Sequence, residues 1–171
     1  HNGNNKSAYL RIAGSYNIIE HVIARNNDDT GISISAKDKD RLLWPAHNLV
    51  LNSDSYNNLD LSGINADGFA AKLGVGPGNI FRGCIAHNNA DDGWDLFNKI
   101  EDGPNASVTI ENSVAYENGL PYNKADILKG SIGNGFKLGG EGQPVNHKVI
   151  NSIAINNNMD GFTDNFNTGS L

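Results

Sequence analysis

Apolar residues in this chain come in short runs of two or three, broken by Asn and Gly, and the same break recurs. Five segments share one form: Ile23-Ala24-Arg25-Asn26-Asn27, Asp54-Ser55-Tyr56-Asn57-Asn58, Ile85-Ala86-His87-Asn88-Asn89, Val114-Ala115-Tyr116-Glu117-Asn118 and Ile153-Ala154-Ile155-Asn156-Asn157. Their small residues, at 24, 55, 86, 115 and 154, advance by 31, 31, 29 and 39 positions, and the long last step holds a Gly/Pro/Lys-rich insertion near Gly119–Gly133. Alignment on the small residue produces columns. Five positions earlier stand Ile19, Val50, Phe81, Ile110 and Val149; two earlier, the mostly small Val22, Ser53, Cys84, Ser113 and Ser152; three later, an unbroken Asn27, Asn58, Asn89, Asn118 and Asn157. A second landmark is a glycine before an apolar residue: Gly31-Ile32, Gly68-Phe69, Gly93-Trp94, Gly135-Phe136 and Gly161-Phe162. Nowhere do apolar residues keep the i, i+3, i+4, i+7 spacing of a helix.

Short strands at a fixed period, each with one apolar column, predict an all-β solenoid, a parallel β-helix. Successive coils then pair at about 4.8 Å and equivalent residues stack. Stacked Asn amides hydrogen-bond along the column, so the Asn column becomes a ladder that needs no functional explanation. A β-sandwich with Asn-rich loops would also alternate, but it gives no reason for one Asn column in constant register.

Composition fits the pattern. The 171 residues include 27 Asn and 20 Gly, which disfavour helices and favour turns, while 38% apolar residues suffice for a core. One domain is expected over 1–171, a core section of a longer solenoid, since His1–Asn5 reads as the turn of a preceding coil and Leu171 follows the last repeat closely. With no initiator Met or signal peptide, the chain reads as mature, processed or a fragment. A net charge of −6 argues against a nucleic-acid partner, no apolar run approaches a membrane span, and one cysteine rules out an internal disulfide framework.

The densest chemistry is Asn89-Ala90-Asp91-Asp92-Gly93-Trp94-Asp95. Asp67 precedes Gly68 as Asp92 precedes Gly93, so stacking brings Asp67, Asp91, Asp92 and Asp95 together. Four like charges at that range are costly unless a cation joins them, and carboxylates in irregular geometry suit Ca²⁺ better than Mg²⁺. A solvated acidic turn or a purely structural ion are the plainer readings. Two positions after the landmark glycine stand Ser33, Ala70, Asp95, Lys137 and Thr163, which sets Lys137 beside Asp95 one coil on. Next to a divalent cation its pKa would fall and it could serve as a base; alternatively it only pairs with Asp95. A cation on a substrate carboxylate together with a lysine base suits proton abstraction and β-elimination in a uronic-acid polymer.

The stretches Asn65-Ala66-Asp67-Gly68-Phe69-Ala70-Ala71-Lys72-Leu73-Gly74, Gly78-Asn79-Ile80-Phe81-Arg82-Gly83-Cys84, Asn89-Ala90-Asp91-Asp92-Gly93-Trp94-Asp95-Leu96-Phe97 and Gly133-Asn134-Gly135-Phe136-Lys137-Leu138-Gly139-Gly140 resemble polysaccharide lyase family 9. The close match runs from about Asn65 to Gly140, and Asn151–Asn165 also fits. The resemblance implies a secreted, Ca²⁺-dependent pectate lyase on a right-handed parallel β-helix, with Asp67, Asp91, Asp92 and Asp95 as metal ligands, Lys137 as Brønsted base and polygalacturonate, rhamnogalacturonan or another acidic polysaccharide as substrate. A monomer is expected, with no nucleic-acid or membrane partner. Family members carry more coils than this chain holds.

Lys72 and Arg82, inside the matching region, are candidates for holding substrate carboxylates. His87 falls in an ordinary surface column, Trp94, Phe136 and Phe162 read as stacked core aromatics, and Cys84 as a buried thiol. Asn5-Lys6-Ser7 and Asn105-Ala106-Ser107 are glycosylation sequons by pattern. Two other functions share the scaffold. An inverting hydrolase would use paired carboxylates without metal, but the Gly-His-Gly and Arg-Ile-Lys motifs of polygalacturonase-type hydrolases are absent from the sequence. A non-catalytic polysaccharide-binding β-helix would have no need of Lys137.

Overall fold

The computed structural model describes residues 8–120 and 132–170. The chain winds through three parallel sheets, taking one strand for each sheet in turn. Sheet I contains β1 (Leu10–Ile12), β4 (Ile32–Ile34), β7 (Phe69–Ala71), β10 (Trp94–Asp95), β13 (Phe136–Lys137) and β16 (Phe162–Thr163). Sheet II contains β2 (Ile18–Glu20), β5 (Leu49–Leu51), β8 (Asn79–Arg82), β11 (Val108–Glu111) and β14 (Lys148–Ile150). Sheet III contains β3 (Ile23–Arg25), β6 (Asp54–Tyr56), β9 (Ile85–His87), β12 (Val114–Tyr116) and β15 (Ile153–Ile155). Every third strand pairs with the next in parallel, which is a parallel β-helix and excludes the sandwich. The pairing Ala24–Ser55–Ala86–Ala115–Ala154 reproduces the repeat alignment column by column.

The corners account for the asparagines. Between sheets II and III the chain turns through a left-handed residue at His21, Asn52, Gly83, Asn112 and Asn151, and between sheets III and I at Asn26, Asn57, Asn88, Glu117 and Asn156. Asn tolerates this conformation better than other side-chain-bearing residues. The next residue forms the ladder: each Nδ2 donates to the Oδ1 one coil on, from Asn27 through Asn58, Asn89 and Asn118 to Asn157, over 2.7–2.9 Å. A second, shorter ladder runs Asn17–Asn48–Asn79 at the entrance to sheet II. It too advances by 31, but its column continues as Val108 and His147, which hides it in the sequence.

Inside, Val50, Phe81 and Ile110 are fully buried from sheet II, against a ring stack on sheet I. Phe69–Trp94 and Trp94–Phe136 centroids are each 4.8 Å apart, and Phe136–Phe162 4.9 Å. Phe162, expected in the core with the others, is half-exposed in the last coil. Truncating Phe81 to Ala would cost about 3–5 kcal/mol. Sheet III faces this core with Ala or Ser because the landmark glycines come close: a Cβ built on Gly93 would lie 2.6 Å from the Gly135 carbonyl, 2.9 Å from Asn118 Nδ2 and 3.0 Å from the Ala115 Cβ. Cys84 is a buried free thiol whose pKa burial raises to about 11.

Among the described residues the helices are two single 3₁₀ turns, Arg41–Leu43 and Ile100–Asp102, and no helix is long and apolar enough to cross a membrane. The Asn105 sequon is buried, its Oδ1 accepting from the Gly74 and Val75 N–H groups, so its amide has a structural job. The Asn5 sequon, and all but the ends of the Gly119–Gly133 insertion, lie outside the described residues.

Candidate functional site

The site is built on the outer face of sheet I by three successive coils. Ala70 of β7, Asp95 of β10 and Lys137 of β13 are in register. Phe69 and Ala71 point into the core, so strand alternation turns Ala70, Asp95 and Lys137 outward. Asp67 and Asp92 enter from the turns before the landmark glycines, where Gly68 N–H bonds to the Asp92 carbonyl at 2.9 Å and locks one turn onto the next. Lys72 follows β7 and reaches back over it.

Asp67, Asp92 and Asp95 are all buried, and each offers an oxygen within 4.8 Å of the others. Asp67 Oδ2 accepts from Lys72 Nζ at 2.8 Å and from Thr30 Oγ1 at 3.1 Å. Asp95 Oδ2 accepts from Lys72 Nζ at 2.6 Å, and its Oδ1 from the Phe97 N–H at 3.0 Å. Asp92 Oδ1 accepts twice from Asn134, from its N–H and its Nδ2, both at 2.8 Å. Lys137 Nζ lies 3.1 Å from Asp92 Oδ2 and 3.4 Å from Asp95 Oδ1, at ion-pair distance and without a directed hydrogen bond to either. Asp67 Oδ1, Asp91 Oδ1 and Asp92 Oδ2 are buried with no hydrogen-bond partner.

Burial dominates the electrostatics. It raises Asp91 to about 9, helped by the charges of Asp67 and Asp92, and raises Asp67 to about 7 against the pull of Lys72. Asp92 is raised by burial and by Asp95. Asp95 goes the other way: burial opposes ionisation, but Lys72 and Lys137 together hold it below the usual carboxylate range. For the two lysines burial favours the neutral amine, yet the carboxylates win, Asp67 and Asp95 raising Lys72, Asp95 and Asp92 raising Lys137. The lowered Lys137 pKa expected from the sequence requires a cation in the cluster; the carboxylates by themselves have the opposite sign.

The donor set fits a hard divalent ion. Asp67, Asp92 and Asp95 converge on one point, Asp67 Oδ1 and Asp91 Oδ1 are buried without a hydrogen bond, and Asp92 Oδ2 has only the Lys137 ammonium beside it. Carboxylate oxygens in irregular array are Ca²⁺ ligands. Asp67, Asp92 and Asp95 form the group that could hold the ion, with Asp91 beside it. Lys72, expected to hold substrate, is tied to two of these carboxylates. Arg82, expected at the substrate, is not brought to the cluster: it is an exposed residue of sheet II paired with Glu111. His87 stacks between Tyr56 and Tyr116 on sheet III, away from the site. The sequence reading missed Thr30 and Asn134, which fix Asp67 and Asp92. Both stand directly before a landmark glycine, in the Asp67 and Asp92 column, and could have been found there.

The family described as Pel9A-like, right handed β-helix region matches residues 2–171. The chain belongs to this Pel9A-like family. The family's description gives the helix its right hand. A pectate disaccharide-lyase of Dickeya chrysanthemi is 56% identical over 163 residues, 95% of this chain and 20% of that protein. Pectate lyase L of Thermoclostridium stercorarium is 48% identical over 162 residues, 91% of this chain and 13% of that protein. The crystal structure of pectate lyase Pel9A superposes with a TM-score of 0.83 at 39% identity, over 95% of this chain and 38% of that one. The chain therefore spans a fifth or less of these two relatives and well under half of the solved structure.

Proposed function

We propose that this chain is the catalytic section of a secreted, monomeric, Ca²⁺-dependent pectate lyase that cleaves polygalacturonate by β-elimination within a longer solenoid. The observation that carries the reading is Lys137 Nζ held 3.1–3.4 Å from two carboxylates of a buried three-carboxylate group. The names of the relatives support the same chemistry. Asp67, Asp92 and Asp95, with Asp91 at their side, would hold the cation. When bound, the ion supplies Lewis-acid polarisation of the uronate carboxylate, which acidifies the hydrogen on C5.

The remaining work belongs to the chain. Asp95 positions the Lys137 amine on the outer face of sheet I, and Phe97, whose ring centroid lies 5.6 Å from Nζ, walls it on one side. As a neutral amine, Lys137 Nζ takes the C5 proton. The C5–H electron pair becomes the C4–C5 double bond, and the C4–O glycosidic bond breaks with its electrons on the departing oxygen. Since Lys137 must first lose a proton that the carboxylates help it keep, the rate should rise on the alkaline side of neutrality.

The test is growth of ultraviolet absorbance on polygalacturonate with Ca²⁺, then with excess chelator, for the chain and for Lys137→Ala. Calcium-dependent absorbance that Lys137→Ala loses supports the reading. Reducing ends without absorbance would mean a hydrolase, and neither signal on polygalacturonate or rhamnogalacturonan from folded protein would remove the lyase reading.

A further inference from the structure

Lys72 has a position that metal binding at this cluster cannot leave unchanged. Its Nζ donates to Asp67 Oδ2 at 2.8 Å and to Asp95 Oδ2 at 2.6 Å, so it bridges two of the three carboxylates that could hold an ion. Calcium sits 2.3–2.6 Å from its oxygens. An ion and an ammonium sharing those oxygens would be within about 5 Å of each other, three positive charges at one site. Lys137 is placed differently. It makes no directed hydrogen bond to the cluster and approaches no closer than 3.1 Å. The two lysines are therefore not equivalent: one occupies the ligand oxygens, the other stands at their edge.

We propose that Lys72 is an internal counter-cation, holding Asp67 and Asp95 together until a divalent ion displaces it. The proposal rests on the reading that these carboxylates bind such an ion. Displacement has a route. The Lys72 side chain is 20% exposed and lines a groove of about 500 Å³ together with Arg11, Ser33, Ser35 and Asn65. Neighbouring Ala70, in register with Asp95, presents only a methyl group. Asp67 does not collapse when the ammonium leaves, because Thr30 Oγ1 holds the same oxygen and the Gly31 N–H bonds to its carbonyl at 3.0 Å. Asp95 is likewise kept by the Phe97 N–H. The released ammonium would then lie in a groove that Asp28, Asp29 and Asp60 also line.

The experiment is a calcium titration by calorimetry, with melting temperatures in chelator and in Ca²⁺, on the parent chain, Lys72→Met, Lys148→Met and Asp92→Asn. Lys148 is an exposed residue of sheet II and controls for loss of a positive charge elsewhere. Lys72→Met should bind Ca²⁺ about tenfold tighter than the parent, melt lower in chelator and gain more on adding Ca²⁺, while Lys148→Met matches the parent. Equal or weaker Ca²⁺ binding by folded Lys72→Met overturns the proposal but leaves the metal site standing, provided Asp92→Asn has lost it. No binding by the folded parent removes the metal site and the proposal with it. If Lys72→Met does not fold, the Lys72 ammonium resonance of the parent, assigned by its loss in Lys72→Arg, reads the same event. Its protons should exchange slowly in chelator and fast in Ca²⁺, and equal protection in both overturns the idea.

Discussion

The Asn ladder and the Asp67–Asp92 pair of the carboxylate cluster are both stacks, made by the same coil repeat a few residues apart, and they behave in opposite ways. Each ladder amide has an acceptor and a donor, so it is complementary to a copy of itself 4.8 Å away. Asn89 takes the Asn58 amide on its Oδ1 and gives its own to Asn118 and to the Ser55 carbonyl. Repetition adds a satisfied bond with every coil. A carboxylate has acceptors only. Where Asp92 repeats Asp67 the stack adds repulsion, and the cluster leaves Asp67 Oδ1 and Asp91 Oδ1 buried without a hydrogen bond and Asp92 Oδ2 with only the Lys137 ammonium beside it. In-register stacking multiplies whatever residue it is given: an amide column yields stability, and two stacked acids yield a group that could hold a metal ion.

The comparison breaks most completely if the charged stack is made neutral. Asp92→Asn keeps an oxygen for Asn134 but removes a ligand charge. Turnover of polygalacturonate should fall by about a thousandfold, as it should for Lys137→Ala, and the Ca²⁺-induced rise in melting temperature should vanish. In chelator this variant should melt at or above the parent, since a like charge has gone. A lower melting temperature would show that the cluster stabilises rather than strains the coil. The converse change, Asn89→Ala, breaks the amide stack. It strips partners from Asn58 and Asn118 at one stroke, and unfolding in denaturant should show a loss of about 3 kcal/mol, with the calcium response of the remaining folded protein kept.

How much of this difference could be read from the sequence depended on whether it lay along a column or across columns. The Asn27–Asn157 ladder and the pairing of Asp95 with Lys137 were legible, even across the insertion, because the landmark glycine resumes the register after it. The Asn17–Asn48–Asn79 ladder shares the 31-residue step but ends at Val108, so no unbroken column marks it in the sequence. Lys72 was expected to hold a substrate carboxylate, and its ties to Asp67 and Asp95 were hidden because its hydrogen bonds run diagonally, from beyond the end of β7 back to a turn residue of its own coil and forward to Asp95. A repeat alignment gives columns and says nothing of how far a four-carbon stem reaches. Arg82 misled in the reverse sense, near the motif in sequence and on another sheet in space.

The smaller test uses pH to set one kind of buried group against another. Burial raises Asp91 to about 9 and Asp67 to about 7, so in chelator the folded state holds protons that the unfolded chain releases near pH 4. The stability these groups lend is complete below that pH and lost as pH rises through 7 and 9. A bound divalent ion needs the same carboxylates ionised, so Ca²⁺ should abolish the alkaline decline, and Asp91→Asn should reduce it. His147, at the end of the column that begins with the second amide ladder, has the opposite sign. Its Nδ1 accepts from the Val108 N–H at 3.2 Å, its Nε2 is buried without a partner, and burial lowers its pKa to about 4. The unfolded chain binds that proton first, so stability is complete above about pH 6.5 and falls as pH drops toward 4. His147→Gln, which keeps an acceptor for Val108 but cannot charge, should flatten the acid limb and leave the alkaline limb alone. Melting temperatures from pH 4 to 9, with chelator and with Ca²⁺, separate the two. If Ca²⁺ moved the acid limb as much as the alkaline one, His147 and the carboxylates would be one coupled system, and the contrast between amide and acid stacks would not hold at that end of the coil.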